Sequence, residues 1–361
     1  MASGPVTHTP WWAWAWPLLA VLVLAVQLLY PLGGLFIAIE AFALIATVFA
    51  AVYHAEVVAY RVGEPFGSLV LALAVTIIEV ALIVSVMITG GSDTSGLARD
   101  TVFAAVMIVC NGIVGLCLLA GGMRHREQGF QLQGANAALA VLIALTTLTL
   151  VFPNVTVTTS AGTFSESQLV FAAVVSLILY GSFLFVQTIR HREYFLPVDV
   201  VGEETHEPPS NKTTLISATL LFVALVCVVG LAKALTPTLE RAIASAGWPK
   251  SVVGIVIAGL VLLPEGLAAF RAARANRLQT SMNLALGSVL ATIGLTIPSV
   301  AAVAILLHKP LTLGLMPKEV VLLITTQLVS VLTLGTGRTT VLQGIVHLVL
   351  LAAFVFLTVV P

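Results

Sequence analysis

The sequence predicts an all-α, polytopic membrane protein with about 11 transmembrane helices, arranged as two inverted five-helix repeats plus one extra N-terminal helix. Composition is the first reason. Of 361 residues, 59% are apolar and 9% charged, whereas a water-soluble domain carries about 25% charged residues, so this chain cannot cover its own surface in water. The second is that the apolar residues gather into runs long enough to cross a bilayer, rich in Leu, Ala, Val and Ile without alternation, which selects helices over a barrel. The third is one long hydrophilic connection that divides the runs into comparable halves. Sixteen basic residues balance sixteen acidic ones, so no basic excess points to nucleic acid. Cys110, Cys117 and Cys227 all lie inside apolar runs, where they fit small core residues better than a disulfide framework or a zinc cluster.

In order, the runs are 11 to 30, 33 to 58, 67 to 89, 101 to 122, 135 to 153, 167 to 189, 213 to 235, 251 to 271, 281 to 307, 319 to 334 and 340 to 360. Nothing basic precedes Trp11, and the first run is long enough to span, so it is kept as a helix rather than read as a signal peptide. On the side holding the amino terminus lie Arg61, Arg124, Arg126, Arg190, Arg192, Lys212, Arg271, Arg274, Arg277 and Arg338, ten against six on the other. Basic residues mark the cytoplasmic face, which places the amino terminus inside and the carboxyl terminus outside. The connection 190–212, with Glu193, Asp199, Glu203, Glu204, Glu207, Pro208 and Pro209, is then a cytoplasmic acidic linker. It separates a first repeat over 32–189 from a second over 213–361, with 1–31 as the extra helix. Each block has five spans, so two copies cross the membrane in opposite senses, as in many secondary transporters.

Two carboxylates fall inside spans rather than at their ends: Glu79 in the third and Glu265 in the eighth. A charge at that depth costs at least ~2.5–3.5 kcal/mol, so an intramembrane acid points to an ion or substrate pathway. Each lies in the second span of its block. Pro264 and Gly266 flank Glu265 and are expected to interrupt helical bonding and free backbone carbonyls, while Thr76 lies one turn before Glu79. The following spans are unusually polar. The fourth begins at Asp100 and Thr101 and carries Asn111; the ninth carries Asn283, Ser288, Thr292 and Thr296 roughly along one stripe, with Gly287 and Gly294 permitting close helix approach. These groups serve either as oxygen ligands or as interhelical glue. Two carboxylates with neutral oxygens make a hard site that suits Ca2+. Without the cation, paired carboxylates raise one another's proton affinity, so the same site can carry H+ on the return.

The stretches Gly63-Glu64-Pro65-Phe66-Gly67 and Ala74-Val75-Thr76-Ile77-Ile78-Glu79, with Pro264-Glu265-Gly266 and the run from Gly287 to Pro298, resemble the calcium/proton antiporter branch of the calcium/cation antiporter superfamily. The likeness is to its bacterial type, which also exchanges sodium or potassium for protons. It implies Glu79 and Glu265 as the ion-binding and proton-exchanging acids, Asn111 and Ser288 as supporting groups, a bacterial inner-membrane location, and no cofactor beyond the transported ions. Where much of the superfamily has Gly-Asn-Ala-x-Glu, this chain has Val75 to Glu79 and Val261 to Glu265, and Ala291 stands where glutamine is usual, which leaves fewer oxygen ligands.

The remaining polar residues have plainer expectations. His347 is read as a neutral core histidine and Gln327 as an interhelical bond, while His54 and Glu56 sit at the cytoplasmic end of the second span and Glu40 nearer its outer third. Arg271, Arg274 and Arg277 at helical spacing suit anionic lipid. Rival classes find little support: there is no intramembrane His-Glu-x-x-His, no Gly-x-Ser-x-Gly, no aspartate pair and no Walker motif. A passive channel normally repeats a filter about a symmetry axis instead of placing single acids in inverted halves.

Overall fold

The structure, a computed structural model, describes residues 9–30, 33–63, 66–89, 95–196 and 209–360. Glu64 and Pro65 of the glycine-flanked motif, and Asp199, Glu203, Glu204, Glu207 and Pro208 of the acidic linker, lie outside the described residues. Among the described residues eleven helices are long and apolar enough to cross a membrane. They are α1 (Trp11–Leu29), α2 (Leu35–Val62), α3 (Phe66–Thr89), α4 (Leu97–His125), α5 (Leu132–Asn154), α6 (Glu166–Arg190), α7 (Asn211–Ser245), α8 (Ser251–Arg274), α9 (Leu278–Leu306), α10 (Pro317–Leu334) and α11 (Val341–Val359). Their order is the expected one, and the largest boundary change is in α7, which runs to Ser245 rather than 235. Hydropathy drops at Lys233, but helical bonding continues past it and through Pro237.

The chain forms two compact units, one from residues 1–86 and 201–242, the other from 87–200 and 243–361, so each draws on both halves of the sequence. In the first unit, α1 and α2 pack together, and small residues of both, Ala13, Ala20, Ala43, Ala50 and Ala51, are buried. Pro17 lies inside α1 and has no N–H to give the carbonyl of Ala13. His54 of α2 supplies the missing donor, its Nε2 lying 2.9 Å from that oxygen. Although His54 lies near the cytoplasmic end of its span, the ring is fully buried, because a proline-freed carbonyl needs a partner where water is scarce. Gly230 of α7 sits against Leu24 of α1, where a Cβ would come 2.6 Å from a leucine methyl.

The second unit is held by glycines at helix crossings. A Cβ on Gly254 of α8 would lie 2.8 Å from the backbone of Asp100 at the start of α4, and one on Gly344 of α11 would lie 2.5 Å from the backbone nitrogen of Leu119 in α4. Gly294 of α9 similarly faces Tyr180 of α6 at 2.5 Å. Such contacts let backbones approach in a bilayer, where apolar side chains alone gain little by leaving lipid. Outside the helices, Gln128–Gly129 (β1) pairs antiparallel with Arg338–Thr339 (β2), tying the loop after α4 to the loop before α11. Asp100 is ion-paired with Arg99 at 2.8 Å, and Arg99 also donates to the Gly314 carbonyl. Ser165 and Gln168 form a reciprocal cap on α6.

Candidate ion site

In the first unit, the buried positions of α3 include Ala74, Val75, Thr76, Ile78, Glu79, Leu82, Ile83 and Val86, while Leu69, Leu73, Ile77 and Ile88 are exposed. This three- and four-residue spacing is one helix face, so Glu79, 2% exposed, and Thr76, 4% exposed, point into protein rather than toward lipid.

In the second unit, Glu265 is half-buried on α8. The expected break around it is corrected: α8 is continuous from Ser251 to Arg274 with Pro264 inside it. The proline withholds one N–H from the Leu260 carbonyl, but the flanking turns keep their bonds, so the helix passes through. Irregular backbone lies instead in the span that follows each glutamate, as it does also at Thr147–Val151 of α5 and Val186–Arg190 of α6. Within α4, Ile108–Ile113 is π-helical and carries Asn111; within α9, Thr292–Thr296 is π-helical and begins at Thr292. A π segment inserts one residue into a turn and redirects side chains and carbonyls, a device common at functional sites. Gly266, next to Glu265, fits directly against Ile113 of the α4 π segment, where a Cβ would lie 3.1 Å from the isoleucine methyl. The elements carrying Glu265 and Asn111 are therefore in contact.

The predicted oxygen groups have distinct surroundings. Ser288 is half-buried on α9, and Thr292 is buried one turn further on. Asn283 lies toward the start of α9, where its Oδ1 accepts from Gln279 Nε2 at 2.8 Å and its Nδ2 donates to the Phe195 carbonyl at 2.6 Å, fastening the segment after α6. Thr296 is buried at the end of its π segment. Asn111 is fully buried: Nδ2 donates to Thr326 Oγ1 of α10 at 2.9 Å, and Oδ1 lies 3.1 Å from His347 Nδ1 of α11. His347 is buried in the core as expected, and its Nε2 also meets Thr333 Oγ1 at 3.1 Å. Neither Thr326 nor Thr333 was a sequence candidate, and the available signal was a histidine three residues after a glycine in an otherwise apolar helix. Gln327 makes the expected interhelical bond, donating to Thr146 Oγ1 at 2.6 Å. Among the described residues no three His, Cys, Asp or Glu side chains gather as a metal cage, so any cation held by this chain's acids needs neutral oxygens as well.

Comparison with known proteins agrees with this architecture. The profile of the family described as sodium/calcium exchanger protein matches residues 32–189 and 216–360. The protein y4hA of Sinorhizobium fredii, which carries an ionic-transporter name, is 50% identical over 98% of this chain and 97% of its own length. The sodium-potassium/proton antiporter ChaA of Escherichia coli is 38% identical over 92% of this chain and 93% of its own. Among solved structures, native YfkE superposes with a TM-score of 0.73 at 18% identity, covering 97% of this chain and 99% of that one, a likeness of fold. The chain belongs to the sodium/calcium exchanger protein family, within the calcium/cation antiporter superfamily.

Proposed function

We propose that this chain is a secondary cation/proton antiporter that exports Ca2+ in exchange for H+ by alternating access, with Glu79 and Glu265 as the acids that bind cation and proton in turn. The observation that carries the reading is that each acid sits inside a membrane-spanning helix, Glu79 almost wholly within protein and Glu265 next in sequence to Gly266, which packs against the π segment of α4. A carboxylate in such surroundings needs a counter-charge, which either a metal ion or a proton provides. Thr76, Ser288 and Thr292 supply neutral oxygens and Asn111 a fixed amide, while Asn283 serves the segment after α6. Ca2+ and H+ compete for the same oxygens, so the uptake of one expels the other and the two fluxes are coupled.

The arrangement as two inverted repeats joined by a cytoplasmic acidic linker is supported by the family profile matching in two segments. The ten-to-six excess of basic residues supports a cytoplasmic amino terminus in a bacterial inner membrane. A second reading, Na+ or K+ in place of Ca2+, is favoured by the name of the 38% identical relative and by the absence of an amide ligand beside either glutamate.

The test uses proteoliposomes with an imposed pH gradient and follows uptake of 45Ca2+, 22Na+ and 86Rb+ by wild type, Glu79→Gln and Glu265→Gln. Expected is proton-driven uptake in wild type and loss of it in both variants. Wild-type rates in both variants would overturn the assignment of the acids. Movement of 22Na+ or 86Rb+ without 45Ca2+ would replace calcium by the monovalent reading.

A further inference from the structure

The polar groups around Asn111 form a hydrogen-bonded chain whose donor order follows from the orientation of the Asn111 amide. Thr326 Oγ1 lies 3.5 Å from Met107 Sδ and donates to it, which leaves its lone pairs to accept from Asn111 Nδ2 at 2.9 Å. The second Nδ2 hydrogen faces the same sulfur at 3.8 Å. The amide oxygen is therefore the atom turned toward His347, and an oxygen there requires that Nδ1 of the ring carry hydrogen. In the neutral ring Nε2 is then an acceptor and takes the hydroxyl hydrogen of Thr333. The order of donation runs from Thr333 to His347 to Asn111 to Thr326 to Met107. The carbonyl of Cys110, within the π segment, also faces the ring.

This arrangement leaves the Asn111 amide in a particular state. Both hydrogens of Nδ2 are engaged and one lone pair of Oδ1 is taken, so the remaining capacity of the group is one acceptor lone pair. An amide free to rotate would present its hydrogens to a cation as often as its oxygen. Delivery of the ring depends on backbone proximity: a Cβ on Gly115 of α4 would lie 3.1 Å from His347 Cβ, and Gly344, one turn earlier on α11, abuts Leu119.

We propose that His347 is a positioning residue of the ion site, holding the Asn111 amide with its oxygen available to the cation. The inference rests on the reading of Asn111 as a supporting group of that site. The histidine touches no ion itself and acts through the asparagine.

Asparagine places an amide nitrogen close to the position of histidine Nδ1, and glutamine places one close to Nε2, so the two substitutions separate the bonds. In proteoliposomes, the KM and maximal rate for the cation that wild type carries are measured for His347→Asn, His347→Gln, Asn111→Ala and Asn111→Ala with His347→Gln. Monodispersity is checked for each protein. Losing one neutral hydrogen bond corresponds to roughly a three- to tenfold change. Expected are a rise in KM of that size for His347→Gln with a smaller change in maximal rate, a KM within about twofold of wild type for His347→Asn by retention of the donor, and no added effect of His347→Gln once Asn111 is alanine. Equal shifts in His347→Asn and His347→Gln, or additive effects with Asn111→Ala, would overturn the positioning role. An unchanged KM in Asn111→Ala would instead overturn the reading of Asn111 on which the role depends.

Discussion

Replacing Gly344 with alanine tests whether helix proximity holds the second unit together. The added methyl would stand 2.5 Å from Leu119 N, 2.9 Å from Gly115 O and 3.0 Å from Leu119 Cα, all backbone atoms that cannot rotate aside. Relief to an ordinary contact of about 3.4 Å requires α4 and α11 to part by about 0.9 Å at that level. His347 lies one turn further along α11, so the same displacement carries its Nδ1 from 3.1 Å to about 4 Å from Asn111 Oδ1, beyond hydrogen-bonding range. Overpacking of this kind costs about 1–3 kcal/mol and the lost bond about 1 kcal/mol, against a gain of about 0.5–1 kcal/mol from replacing glycine inside a helix. The net expectation is destabilisation by about 1–3 kcal/mol. Gly181→Ala is the matched control, because nothing lies within 4 Å of its added methyl, and it is expected to be neutral or slightly stabilising. The assay is the thermal midpoint of the detergent-solubilised protein, read from the fraction remaining monodisperse after heating. Equal midpoints for the two variants would refute the argument from helix proximity.

Two further outcomes follow from other contacts. Gln327→Leu removes the 2.6 Å bond to Thr146 between α10 and α5 and is expected to lower stability by about 0.6–1.7 kcal/mol; a midpoint equal to wild type would show that bond to be idle. Beyond the end of α6, the Glu193 carboxylate accepts from its own backbone N–H and meets His191 Nδ1 at 3.2 Å, which holds its pKa below the ordinary glutamate value. A lowered folded-state pKa means that the contribution of the carboxylate is present above the unfolded value and lost as pH falls through the folded one. NMR titration is therefore expected to show a midpoint below that of a free glutamate, moving upward in His191→Ala, and an unmoved midpoint in that variant would rule out the histidine contact.

The number and order of the helices are legible in sequence because the bilayer imposes one requirement, about 20 apolar residues per crossing with every backbone group bonded internally. Helix ends are less legible: α7 extends past Lys233 because a charged residue at a membrane surface ends a hydropathy peak without ending helical bonding. Glu79 and Glu265 stand out because a charge in an apolar run is costly, but the expected backbone break at Pro264 does not occur and π segments lie in the following spans instead, as well as in α5 and α6. A π segment leaves no mark on composition, since it shifts register without changing residue type. The His347–Asn111 contact joins positions 236 residues apart, and a lone histidine in an apolar helix does not disclose which distant amide it will meet.

The make-up of the two compact units bears on how the chain is built. Ribosomal synthesis delivers α1, α2 and α3 well before α7, yet all four contribute to one unit, and the other closes only after the final helix emerges. Helices inserted early therefore complete their unit only when partners from the second half of the chain arrive. Seams lined by glycine and alanine suit that delay, because small side chains leave little to repack when the last neighbour docks.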